Sequence, residues 1–422
     1  MKTTLKLSFI ALMLLTVTGY AQQGRLMQFE RPIGKRGINI YEGPKADTIE
    51  YQGNLKVRVG GDYSIIFQGL DHSNDFGAGD PNELIGLSNN FALPTANLNL
   101  DVQIEDGLRM HVRTYLSSRH HAEAWVKGGY FQVDKLDFIK PGLLSGLMEF
   151  TRLRFGMNDI NYGDTHFRRS DNARSIYNPF VGNYIMDAFT TEPFAEISVF
   201  PGNFIGVLGV TNGRLNQSPT TGDDGHAVYA KVGYDNQIND DFRLRLTGSL
   251  YSSSERSTRD YLYNGDRAGG RYYSVTEGVN DTRVNDFAPR FNTGFPNQTS
   301  IMFNPSIIYG GLEFFGLFET ISDGSDAEGS FTHIGAELLY RFGGKDQFYV
   351  GTRFNQVDGE FADGAPSIEI SRTNFGGGWF LTNNVMTKLE YVSSAYDGDG
   401  YAGTKFQGAE FNGFVIEAVI SF

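Results

Sequence analysis

The sequence predicts an all-β protein, a transmembrane antiparallel β-barrel of about sixteen strands, and three observations predict it. The last eleven residues alternate: Phe414, Ile416, Ala418, Ile420 and Phe422 share one face of an extended strand, and Glu417 and Ser421 the other. A period of two that ends on an aromatic residue suits a closing strand with lipid on one side and water on the other. Met1 to Ala21 carries Lys2 and Lys6, an apolar run from Leu7 to Val17 and the small-residue stretch Gly19-Tyr20-Ala21, the pattern of a secretory signal peptide. Between the ends, alternating segments are joined by tight and long connections in turn.

The expected organisation is a signal peptide at 1–21, a short periplasmic N-terminal segment at 22–52 and an outer-membrane barrel at 53–422. The segment holds Pro32, Gly34, Gly37, Gly43 and Pro44, which fits an arm, a partial plug or a disordered tail. Strands are expected at 54–70, 95–105, 107–118, 124–138, 147–157, 188–199, 203–212 and 225–235. The second half continues with 240–254, 299–309, 311–321, 330–342, 346–357, 366–381, 384–396 and 407–422. Fourteen or eighteen strands also fit the pattern.

Connections after even-numbered strands are tight, as at Glu105-Asp106-Gly107, Pro201-Gly202-Asn203, Gly310-Gly311, Gly343-Gly344 and Thr382-Asn383-Asn384. Those after odd-numbered strands run longer, at 71–94, 158–187, 213–224, 255–298, 322–329, 358–365 and 397–406. Only 119–123 and 139–146 break the alternation. An even count with short periplasmic turns and long outer loops is self-consistent. Sixteen strands leave a watery lumen, whereas eight would be filled by their own side chains.

Composition agrees with apolar surface spread thinly over many strands: hydrophobic residues make up 40%, aromatics 14%, and there are 52 glycines. The chain has no cysteine, hence no disulfide and no thiol-linked lipid anchor. No apolar run reaches the length of a membrane-spanning helix. A net charge of −13 argues against nucleic acid as a partner.

Parity assigns the wet face. Leu55, Val57 and Val59 point to lipid, so Lys56 and Arg58 point inward; Leu108, Met110 and Val112 leave Arg109, His111 and Arg113 inside. Leu153 and Phe155 oppose Arg152 and Arg154, and Leu244 and Leu246 oppose Arg243 and Arg245. The other wall differs, with 16 acidic and 6 basic residues from Ile301 to Phe422, including inward Glu313, Glu319, Glu337, Glu390 and Glu417. Basic and acidic arcs facing each other would set a transverse field across the pore.

Two loops stand out by length. Residues 158–187 contain Phe167, Ile176, Tyr177, Phe180, Val181 and Tyr184, too apolar for a disordered loop, and are expected to fold inward with Arg168, Arg169 and Arg174 near a constriction. Residues 255–298 interleave Arg256, Arg259, Arg267, Arg271, Arg283 and Arg290 with tyrosines and read mainly as a surface lid.

The run Arg168-Arg169-Ser170-Asp171-Asn172 with Tyr177-Asn178-Pro179-Phe180-Val181-Gly182-Asn183-Tyr184, together with the signal peptide and Phe422, resembles outer-membrane porins of Bacteroidetes akin to the phosphate-selective porin O and P group. The sharp motif is confined to this loop. The resemblance implies a homotrimeric passive channel preferring anions such as phosphate or small organic anions. Phosphate-selective members carry lysine in the constriction, whereas this loop has arginines and no lysine.

The expected partners are small hydrophilic solutes, outer-membrane lipid and lipopolysaccharide, and the barrel-assembly machinery through Phe422. No cofactor or metal is expected. A sugar-specific porin and a secretion-associated or adhesive scaffold are the alternatives. An enzyme is disfavoured: there is no Gly-x-Ser-x-Gly element, and of the seven histidines only His111 and His333 point clearly inward from strands.

Overall fold

A computed structural model describes residues 27–46, 49–117, 125–170, 173–213, 225–254, 262–263, 273–281 and 289–422. The expected signal peptide, His120-His121, Asp171-Asn172 and the arginines at 256, 259, 267, 271 and 283 lie outside them.

Sixteen antiparallel strands close into one barrel in sequence order. They are β1 (Lys56–Ser73), β2 (Asn90–Glu105), β3 (Leu108–Ser117), β4 (Trp125–Val133), β5 (Thr151–Asp159), β6 (Thr191–Val199), β7 (Phe204–Thr211) and β8 (Ala227–Gln237). The circuit continues with β9 (Phe242–Ser253), β10 (Gln298–Tyr309), β11 (Leu312–Asp323), β12 (Glu328–Phe342), β13 (Phe348–Ala362), β14 (Ile368–Phe380), β15 (Val385–Asp397) and β16 (Glu410–Ser421). Closure pairs Asp62 with Ser421 through Ser73 with Glu410, and Gly61 and Phe422 exchange both backbone hydrogen bonds at 2.9 Å. Full closure leaves no unpaired sheet edge in the membrane.

All sixteen expected segments are strands, and their limits shift where local chemistry overrides alternation. Strand β4 stops at Val133 instead of 138, because Leu136 to Lys140 closes on itself through Ile139 N–H and Lys140 N–H donating to the Leu136 carbonyl. Strand β2 begins five residues early despite Pro94, which has no N–H for the ladder; the β1–β2 register shifts between Ser64 and Ile66 to pass it.

The pleat sorts side chains as parity requires. Leu55, Val59, Leu98, Leu208, Val232, Leu389 and Ile416 are exposed on the outer face, while Arg58, Asp101, Arg109, Arg113, Arg245, Glu337, Glu390 and Glu417 are buried inside. At the short-turn mouth the outward aromatics form a girdle: Tyr340, Phe342, Phe348 and Trp379 follow one another with ring centroids 6.1, 5.6 and 5.9 Å apart. Phe204 with Tyr234 and Phe242 with Tyr309 extend it. Such a belt sits at the lipid–water boundary.

The lumen is not an empty tube. The apolar core lies inside the barrel, where Tyr162, Val181, Tyr184, Ile185 and Met186 of the loop between β5 and β6 pack with Tyr229, Tyr251, Phe315 and Leu317 of the wall. Parts of the loop between β9 and β10 join them: Leu262, Tyr263, Tyr273 and Val275 are fully buried. Residues 262–263 and 273–277 thus run inside the lumen, whereas 278–281 lie at the surface against Pro81, Leu84 and Lys405; tyrosine rings this apolar gain by leaving water, and the lumen wall offers acceptors for their hydroxyls.

Residues 27–46 also enter the barrel, at the short-turn mouth. Met27 and Phe29 are buried, Gln28 donates to Asp106, Lys35 N–H donates to the Asn383 carbonyl at 2.8 Å, and Lys45 reaches Asp134.

Candidate functional site

The site is built from three parts: the basic arc of β1 to β9, the inward loop 160–190, and the N-terminal segment. The loop folds around two asparagines. Asn178 donates to the Gly182 carbonyl at 3.1 Å and to Asn183 at 3.0 Å, and Asn183 accepts Ser170 N–H at 2.9 Å. Arg353 of β13 then grips the turn, donating to the Gly182 carbonyl at 2.8 Å and to Asn178 at 2.9 Å. At Gly182 a side-chain carbon would sit 2.3 Å from the Tyr273 hydroxyl, so the two inward loops meet where only glycine fits.

This loop lies on the acidic arc and supplies part of its donors. Glu337 accepts from Arg168 at 2.9 Å, from Arg353 at 2.7 Å and from Tyr184 at 2.7 Å. Glu319 accepts from Tyr162 and Tyr263, Glu390 from Tyr273 and from Val181 N–H, and Glu417 from Lys388 and Ser64. Glu313 is paired with Arg341. Glu313, Glu337 and Glu417 meet a cation directly, whereas Glu319 and Glu390 receive hydroxyl and backbone N–H donors, so the expected transverse field is reduced on its acidic side. A buried carboxylate left unpaired is too costly to persist, and the loops and neighbouring strands bring the donors.

The remaining central cavity, about 130 Å³, lies against the basic arc. Seven arginines line it, Arg31, Arg109, Arg113, Arg152, Arg154, Arg169 and Arg174, against five carboxylates, Glu30, Glu42, Asp101, Asp159 and Glu196. Arg109 donates to Tyr130 and Gln132, Arg113 to Asn99, and Arg154 stacks over Tyr130 at 4.4 Å with Glu196 at 3.7 Å. The Nε groups of Arg109 and Arg154 make no hydrogen bond. His111 Nδ1–H donates to the Asp101 carboxylate, 2.6 Å away, and its buried Nε2 has no partner. Burial, with Lys231 adding to it, pushes His166 down to about 3, so that side chain adds no positive charge at neutral pH.

The other sequence-derived residues fall elsewhere. Arg58 is held by Glu30 and Asp101, and Arg168 by Glu337 and Asn39. Neither borders the central cavity. Arg169 borders it but is paired with Asp187 and stacked 3.8 Å over Phe189. Arg174 lies 5.1 Å over the Tyr177 ring. Lys56 borders a shallow cavity at the short-turn rim with Gln28 and Gln103. Arg243 and Arg245 line a third cavity, of about 740 Å³, at the short-turn mouth. Arg245 pairs with Asp164, Asp235 and Glu42, and Arg243 with Asp235. Burial works against the charge of Glu42, but Arg245 and Lys231 outweigh it and hold the carboxyl down to about 2.

Two contributors escaped the reading of the strands. Arg31 lies 3.9 Å over Tyr177 and donates to the Phe167 carbonyl, but it belongs to a segment without strand periodicity. Lys231, on β8, is buried against Asp164 and Asn161; its alternation with Val232 was the available signal.

No family model matches the chain, and no curated protein is found as a relative. Among solved structures, it is similar to a loop-deletion form of OmpT, an outer membrane protein of Vibrio cholerae, at 13% identity and a TM-score of 0.51, over 87% of this chain and 99% of that one. The outer membrane channel DcaP of Acinetobacter baumannii matches at 11% identity and 0.50, over 89% and 99% of the two chains. An anion-selective porin from Comamonas acidovorans matches at 12% and 0.50, over 87% and 100%. At these identities the likeness is one of fold. The chain has a porin-like barrel of the kind found in the Gram-negative outer membrane.

Proposed function

We propose that the protein is an outer-membrane porin, a passive channel for small hydrophilic solutes that prefers anions. The observation that carries this reading is the asymmetry of the lumen. Glu337, Glu319 and Glu390 of the acidic wall are covered by the inward loops, and Glu313 and Glu417 pair with Arg341 and Lys388 of the wall itself, while the central cavity is left to the basic wall, with seven arginines against five carboxylates. Charged rings in a narrow, low-dielectric passage bias which ion enters. The arginines Arg109, Arg113, Arg154 and Arg174 form the selective surface; Arg58, Arg152, Arg168 and Arg169 hold the wall, the N-terminal segment and the loop in place. Lys56 at the rim and Arg243 and Arg245 at the periplasmic mouth extend the basic path. Phosphate, sulfate and dicarboxylates are the favoured solutes, since guanidinium groups bind two oxygens at once.

The porin works as a trimer in this reading, with its aromatic belt and outer apolar face against lipid and lipopolysaccharide. Phe422 serves as the mark that the barrel-assembly machinery reads.

The deciding measurement is the reversal potential in planar bilayers under a salt gradient. The parent should favour chloride over potassium, and Arg109→Ala/Arg154→Ala should move the potential toward zero. Cation preference in the parent, or an unmoved potential in the double variant, rejects the anion preference.

A further inference from the structure

Tyr41, Glu42 and Gly43 border the central cavity on one side and the cavity at the short-turn mouth on the other; Phe200 is the one other residue shared by both. The partition between the two spaces is therefore mostly N-terminal segment and hardly barrel wall. Its composition explains why it can be laid there. Gly34, Gly37, Gly43 and Pro44 suppress regular structure, and apart from one 3-10 turn at Gly34–Gly37 the described part of the segment contributes no element and no strand to the sheet.

What holds the partition is side-chain chemistry at the wall arginines. Arg152 donates to the Gly43 carbonyl at 2.9 Å and to the Pro44 carbonyl at 3.2 Å. Arg245 pairs with Glu42 at 2.9 Å and stacks 4.1 Å over Tyr41, whose hydroxyl donates to Ser306. These acceptors are oxygens presented to guanidinium groups, the same chemistry that a carboxylate or sulfate would offer.

We propose that the N-terminal segment is a releasable floor, closing the passage between the two cavities by occupying Arg152 and Arg245 as a stand-in for a permeating oxyanion. The proposal rests on the channel reading above. A solute that takes either arginine weakens the floor's hold, so multivalent anions favour the open passage. Release breaks no strand pairing, because the described floor lies outside the ladder.

The chain's lack of cysteine gives a clean test. Lys35 N–H lies 2.8 Å from the Asn383 carbonyl, which places the two backbones within reach of a disulfide. Lys35→Cys/Asn383→Cys, with cross-linking checked by thiol labelling, is compared oxidised and reduced in planar bilayers, with sulfate as the probe anion. The reduced protein should show a larger-conductance state that sulfate makes more frequent and that oxidation abolishes. Tyr41→Gly/Glu42→Gly, shown to be folded by heat-modifiable migration, should remain in the larger state. Equal non-zero conductance of the oxidised and reduced pair overturns the floor and leaves the channel reading intact. A folded Tyr41→Gly/Glu42→Gly barrel that passes no current overturns both.

Discussion

At the scale of single residues, the lumen shows how one charge type can have two fates. Arg168 and Arg154 both lie inside the barrel, yet Arg168 is committed to Glu337 whereas Arg154 has Glu196 at 3.7 Å, the Tyr130 and Phe194 rings beneath it and an Nε without a hydrogen bond. Glu337, itself buried, holds Arg168, Arg353 and Tyr184 together. Glu337→Gln leaves two buried guanidinium groups short of a counter-charge, a loss of about 3–5 kcal/mol in a buried pair. It should lower the temperature at which the folded band is lost on heat-modifiability gels and make 160–190 sensitive to protease. An unchanged transition and an uncut loop would show that the Glu337 cluster does not fasten the loop.

At the scale of elements, strands and connections obey different rules. Strand limits follow the pleat, except where Pro94 forces a register shift or the Leu136–Lys140 turn ends β4 early. The N-terminal segment has no such periodicity, and its docking is electrostatic. Glu42 ordinarily titrates near 4.5 and is held down to about 2 when docked, so its stabilising contribution is complete above 4.5 and fades as the pH falls toward 2. In pepsin digests, Glu42→Gln should be cut within 27–46 more readily than the parent near pH 4.5, and the difference should close as the pH approaches 2. Parallel digestion of parent and variant across that range would remove Glu42 from the account of docking.

At the scale of the whole molecule, the seam that closes the barrel ends at Phe422. Phe422 exchanges two backbone hydrogen bonds with Gly61 and leaves its ring on the outer face, beside a glycine whose missing side chain makes room for it. Deleting it removes both the final rung of the β1–β16 seam and the aromatic end proposed for recognition by the assembly machinery. Less heat-modifiable barrel should reach the outer membrane, with the shortfall recovered as unfolded chain. Equal folded yield from the deletion and the parent would assign Phe422 to the lipid-facing belt alone.

The sequence by itself determined the barrel, a strand count of about sixteen and the side on which Lys56, Arg58, Arg109, Arg113, Arg152, Arg154, Arg243 and Arg245 stand, because a pleat has a period of two and lipid tolerates only one class of side chain. Alternation is a local property, and it survives in any window of the chain. The tertiary structure alone decided which of those cations border a cavity and which are spent. That outcome depends on where 160–190, the described parts of 255–298 and residues 27–46 come to rest, and these stretches have no period to read. Their positions are set by long-range pairing, Arg168 with Glu337, Tyr273 with Glu390 and Glu42 with Arg245, between residues far apart in the chain, which meet only once the barrel has closed around them.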